Sequence, residues 1–276
     1  MTMGAMDKKF GLLTSVIVAG NAIGQPALYL DFDASRATLP TEQCWELIGA
    51  TTPVPSITNG ELAQGATSAA QTQAYRHLLL FDFQRDHIVY EWDLKVISSG
   101  YNANSCGVGQ RAGWYASVSD VTGKYVACGI GSNRVFLSNN GNSFVGVNSP
   151  VTTEDFTNAF HTFRLEVNAA GAVLFVDGIQ RLTMPLGNTG VVGTTHAVFG
   201  DTSVCQGSQT RMHYLRVSLP PQCGVDFNRD CVSDFFDYLD FVDAFGALRP
   251  DADFNTDGVI DFFDYLDFVD LMSRDC

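Results

Sequence analysis

The chain has 276 residues, 46% of them hydrophobic, and a formal charge of −14 from 16 Lys+Arg against 30 Asp+Glu. The apolar share excludes a wholly disordered chain, and the length accommodates one large and one small domain. The acid excess argues against a nucleic-acid partner, whose phosphates need a basic face.

Lys8 and Lys9 precede a mostly apolar run, Phe10 to Ala19, and then the small residues Gly20-Asn21-Ala22-Ile23-Gly24. This is the pattern of a secretory signal peptide, assigned to residues 1–24 with cleavage after Ala22 or Gly24. The run is shorter than the roughly 20 apolar residues that span a bilayer. The mature chain is expected to be secreted, with no transmembrane segment. Export permits disulfides. Cys44, Cys106, Cys128 and Cys205 fall in the large region, where three pairings are open. Cys223, Cys231 and Cys276 fall near the C-terminus. Seven is odd, so at least one thiol is free or pairs with another chain.

Residues 25–221 read as an all-β sandwich: short β-branched and aromatic runs separated by Gly, Asn, Asp and Ser. From His87 to Ser98, Ile88, Tyr90, Trp92, Leu94 and Val96 alternate with Val89, Glu91, Asp93 and Lys95. The stretch Ser99 to Cys106, with Arg111 and Trp114-Tyr115, combines aromatic, Asn and Arg residues in the manner of sugar sites. Tyr101, Asn102, Arg111, Trp114 and Tyr115 are the candidate glycan ligands, and one of the adjacent pair Trp114-Tyr115 must face away from the core. Phe163, Leu165 and Val167 form another alternating strand. It turns at Asn168-Ala169-Ala170-Gly171 into Ala172–Val176, and Asp177-Gly178 signals a hairpin into Ile179–Leu182. In the last strand His213, Leu215 and Val217 are expected on one face. Eleven to fourteen strands in two sheets fit a jelly roll.

The run HTFRLEVNAAGAVLFVDGIQR, residues 161–181, resembles the strand–turn–strand segment of concanavalin A-like and laminin-G-like domains. Val198-Phe199-Gly200-Asp201 and Tyr214–Ser218 resemble their closing strands. That group contains lectins, hydrolases and protein-binding modules, so the resemblance implies a fold and leaves the ligand open. Its glucanases carry E-x-D-x-x-E or E-x-D-x-E on one strand. Here Glu91 and Asp93 match, but Lys95 and Val96 stand where the last acid belongs. Retaining glycosidases need two carboxyl groups about 5–5.5 Å apart. No catalytic residue is therefore assigned, and the sandwich is expected to be a non-enzyme that binds a polysaccharide. A secreted glycoside hydrolase and an adhesive surface protein are the alternatives.

Residues 222–276 form the second unit. Residues 223–276 hold 14 Asp, no Glu and three Arg. DFNRDCVSDFFDYLDFVDAF, starting at Asp226, repeats 27 residues later as DFNTDGVIDFFDYLDFVDLM, with 15 of 20 positions identical. Asp226, Asn228, Asp230, Asp234 and Asp237 fall at positions 1, 3, 5, 9 and 12 of a calcium loop, and Val232 at position 7 offers its carbonyl. Asp253, Asn255, Asp257, Val259, Asp261 and Asp264 repeat that set. Two Ca²⁺ ions are expected. Gly258 supplies the turn at position 6, whereas Cys231 stands there in the first loop and should weaken it.

These loops resemble a type I dockerin of the GC type, with Cys223 before the first loop and Cys276 at the end, although Asp275 replaces the family's Gly. The resemblance implies a small α-helical attachment domain, EF-hand-like, with a cohesin-like or cell-surface partner. It also places the termini together, making Cys223–Cys276 the preferred disulfide and Cys231 the odd thiol. The paired Phe235-Phe236 and Phe262-Phe263 extend the apolar arc beyond what two short helices can hide, and are expected at the partner surface.

Overall fold

The computed structural model describes residues 29–49, 53–65, 72–79, 82–101, 113–139, 151–188, 195–201, 206–218, 225–228, 230, 234–254 and 257–273. Most of the chain forms two antiparallel sheets packed face to face. The first sheet is built on β6 (Ile88–Tyr101). On one edge β6 pairs with β11 (His161–Asn168), which continues through β12 (Gly171–Val176) to β13 (Ile179–Met184). On the other edge it pairs successively with β16 (Gln206–Met212) and β17 (Tyr214–Ser218). β16 carries β4 (Glu61–Gly65) and β3 (Ser56–Thr58), while β17 carries β1 (Tyr29–Asp33).

The second sheet runs β10 (Val151–Thr152), β9 (Arg134–Ser138), β8 (Lys124–Gly131), β7 (Trp114–Ser119), β15 (His196–Asp201), β5 (Gln73–Leu78) and β2 (Glu46–Gly49). β14 (Gly187–Asn188) adds to β8. The seventeen described strands exceed the expected eleven to fourteen because β3, β10 and β14 are ladders of two or three residues. Period-2 patterning explains the core: Ile88, Tyr90, Trp92, Leu94 and Val96 all point inward, as do Phe163, Leu165 and Val167. Trp92 and Phe163 are direct cross-strand partners and stack at 5.6 Å, 9° from parallel. Asp177 and Gly178 both adopt positive φ, which closes the β12–β13 hairpin.

The sheets bury a second surface. Tyr115, Tyr125 and Phe136 point away from the shared core, yet all three are buried. Gly129 makes room for them: a Cβ there would lie 2.5 Å from Phe136 Cζ and 2.8 Å from Tyr115 Cε1.

The tail has its own core. Helix α1 (Phe235–Gly246) and helix α2 (Phe262–Met272) bury Phe241, Ala244, Phe268 and Leu271 together with Val225 and Ala252. Each helix starts with a capping box. Asp234 and Asp261 cap the backbone of Phe236 and Phe263, and Asp237 and Asp264 return bonds to the cap N–H.

The cysteines depart from expectation. Cys128 is free, buried and inward-facing on β8, and burial pushes its thiol up. A free thiol is thus shown at Cys128, and the expectation that Cys231 is the odd thiol falls outside the described residues. No pairing confined to Cys44, Cys106, Cys128 and Cys205 can be complete. Cys44 is disulfide-bonded. Cys223, Cys231 and Cys276 lie outside the described residues, as does the expected leader, 1–24. Among the described residues no helix is long and apolar enough to cross a membrane.

Candidate functional site

The outer face of the first sheet gathers carboxylates around the junction of β16 and β17. Met212 and Leu215 both point into the core. The two residues between them, His213 and Tyr214, therefore turn outward together. This corrects the expectation that His213 lies inward with Leu215 and Val217. A strict alternation is broken here because one edge of β6 serves two different strands. Asp93 bridges the break. Its Oδ1 accepts the backbone N–H of His213 at 2.8 Å and of Tyr214 at 3.2 Å, while its Oδ2 bonds His213 Nδ1.

Glu91, two residues earlier on the same face, accepts the Tyr214 hydroxyl at 3.3 Å. Arg164 and Arg216 flank it in register on either side. Glu61 approaches from β4, 3.9 Å from His213 Nε2 and 3.6 Å from Arg211 Nε. Phe160 covers the imidazole with ring centroids 4.0 Å apart. Partial burial, with Glu91 and Asp93 beside it, pushes the Tyr214 phenol up. Three carboxylates, an imidazole and a phenol thus share one partly exposed face. Glu61 and His213 were missed in sequence because 32 and 120 residues separate them from Asp93.

The candidate glycan ligands fare differently. Trp114 is buried in the core, 5.7 Å from Trp92. Tyr115 does face away from the core, but it is 1% exposed and packs edge-on to Phe136. Neither ring can stack on a sugar as placed, which corrects both assignments. The physical reason is that this sheet is covered on both sides. Tyr101 ends β6, but its side chain, with Asn102 and Arg111, lies outside the described residues.

In the tail, Asp237 and Asp264 at position 12 are fully buried. Asp237 accepts N–H bonds from Asn228 at 3.0 Å and Asp234 at 2.8 Å. Asp264 accepts from Phe254 at 2.7 Å and Asp261 at 2.8 Å. The position-1 carboxylates fold the loops: Asp226 accepts from Asp230, and Asp253 from Asp257 and Gly258. Gly258 has φ +87°, as position 6 requires. Val232 and Asn255 lie outside the described residues. Among the described residues, no three His, Cys, Asp or Glu side chains are gathered closely enough to hold a metal. The donor chemistry nevertheless fits a hard cation. It is all oxygen, and an ionised carboxylate has about four acceptor sites. Phe235, Phe236, Phe262 and Phe263 are 62–65% exposed.

No family model matches the sequence, nor does any curated protein. Solved structures do, at low similarity. A sialidase shares 11% identity and a TM-score of 0.47 over 83% of this chain, which spans only 22% of that protein. The Bacillus licheniformis β-glucanase shares 14% identity and a TM-score of 0.44, covering 70% of this chain and 98% of its own. A carbohydrate esterase from the Shiga toxin-encoding bacteriophage phi24B shares 14% identity and a TM-score of 0.47, covering 71% and 99%. A lichenase and an endo-β-galactosidase are also similar. The expectation of a sandwich without catalytic activity is corrected: it rested on one missing acid in one strand, whereas Glu61 from β4 joins Glu91 and Asp93 of β6 around His213 and Tyr214.

Proposed function

We propose that the sandwich hydrolyses a polysaccharide on the outer face of its first sheet. The observation that carries this reading is the convergence of Glu91, Asp93 and Glu61 on His213 and Tyr214. Glycoside hydrolysis needs one carboxyl group to protonate the leaving oxygen and a second to attack the sugar or activate water. Asp93 already accepts three donors and positions His213. That leaves Glu91, oriented by Tyr214, as nucleophile or base, and Glu61, beside His213, as the acid.

We further propose that the leader exports the chain and that the tail is a calcium-dependent, dockerin-like attachment module. Two Ca²⁺ ions would be held by Asp226, Asn228, Asp230, Val232, Asp234 and Asp237, and by Asp253, Asn255, Asp257, Val259, Asp261 and Asp264. The exposed Phe235, Phe236, Phe262 and Phe263 would meet a cohesin-like or other cell-surface protein.

The test is a polysaccharide panel on the purified full chain, scoring retention and new reducing ends together. Hydrolysis is expected, and should fall at least 100-fold in Glu91→Gln and in Glu61→Gln. Retention without new reducing ends would overturn the hydrolase and leave a binding module.

A further inference from the structure

We infer that the disulfide at Cys44 joins the sandwich to the acidic tail. Cys44 is bonded, and its place in the fold decides what it can reach. It precedes β2, where Glu46 lies opposite Arg76, which places Cys44 beside the Leu78–His196 end of the second sheet. The neighbouring Trp45 marks the same end, its ring edge-on to His77 at 6.0 Å.

The described chain next to the other sandwich cysteines is anchored elsewhere. Gln206, which follows Cys205 in sequence, lies near the opposite end, where Asp201 pairs with Gln73 and accepts the Ser208 N–H. Those two ends are five residues apart along β5, about 17 Å at strand rise. Bonded cysteines need Cα atoms about 4.4–6.8 Å apart. Cys106 follows Tyr101, which lies opposite Gln206, two residues further out than Ser208. Five residues reach about 17 Å when fully extended. The return to Cys44 covers about 23 Å along the strands and about 10 Å between the sheets. Cys128 is free. Only tail cysteines remain.

Burial holds the His77 pKa below its ordinary value, and the Asp226 carboxylate is near enough to act against that electrostatically, which sets the first acidic loop near this end. The cysteine count agrees: without Cys128, three cysteines belong to the sandwich and three to the tail. Complete pairing of three with three requires at least one bridge between the modules. Such a bridge tethers the tail to the β2–β5 edge.

The test is disulfide mapping of the full chain, alkylated without reduction, digested and read by mass spectrometry. A Cys44 peptide linked to one containing Cys223, Cys231 or Cys276 is expected. A link from Cys44 to Cys106 or Cys205, or an alkylated Cys44, would overturn the inference. Cys44→Ser supplies a second readout: one tail cysteine should gain a single alkyl label. A new label on Cys106 or Cys205 instead would also overturn it. The mapping of the unaltered chain stands even if that variant does not fold.

Discussion

Phe241 and Phe268 stack face to face, with ring centroids 3.9 Å apart and planes 3° from parallel. They occupy the same position in the two 27-residue repeats. Their repeat mates one turn earlier, Tyr238 and Tyr265, bring their hydroxyls to 3.3 Å. The two loop–helix units therefore meet through matching residues, with the local two-fold axis between these pairs. Phe241→Ala should cost about 3–5 kcal/mol, the usual range for emptying a buried aromatic site. In so small a core that should abolish the tail's calorimetric transition while leaving the sandwich transition in place.

Gly129 offers a test of the covered face of the second sheet. Gly129→Ala forces a Cβ against the rings of Phe136 and Tyr115. Overpacking of this kind costs about 1–3 kcal/mol. The measurement is the denaturant midpoint, which should fall with an unchanged slope.

Asp93 holds two backbone N–H groups and one imidazole at the β16–β17 break. Asp93→Ala strands both backbone N–H groups, at roughly 1–3 kcal/mol for each one left unmet, while the half-exposed imidazole can turn to water. Asp93→Asn keeps an acceptor oxygen and should lose less. No loss in either variant would show that the break is held by packing alone.

His196 sets a pH dependence. Burial first, and then the charge of Arg76, hold its pKa below the ordinary value of about 6.5. The unfolded chain therefore takes up a proton that the folded chain refuses. Stability is expected to rise with pH through this window and to fall on acidification below about 6.5. His196→Gln should lessen the fall in melting temperature between pH 7 and pH 5, with His77, also held low by burial, supplying part of the remainder.

Calcium should raise the tail transition and chelator should lower it. Asp264→Asn is expected to abolish the calcium-dependent shift. It also weakens the α2 capping box, so the metal-free tail should lose about 1 kcal/mol as well. A calcium shift that survives in this variant would remove Asp264 from the ligand set.

What the sequence revealed depended on periodicity. The strands at 88–96 and 163–167 were legible because one face meets a single core, so polar and apolar residues alternate. The two loop–helix repeats of the tail were legible because the copies match position by position. His213 was misread because a strand that changes partners shifts its side-chain parity within two residues. That one of Trp114 and Tyr115 turns away from the core was legible, and it is Tyr115. Its burial was not legible, because alternation says which way a side chain points and nothing about what lies there. The Glu91–Glu61 face was invisible for a further reason: its contacts join residues far apart in the chain.

Cys128 carries a consequence for the order of folding. In the unfolded chain it is as open to oxidation as Cys44, but in the finished sandwich its sulfur has no room for a partner. Closure of β7, β8 and β9 around Cys128 therefore withdraws it from oxidation. A bond made at Cys128 before that closure would have to be exchanged before the core could pack.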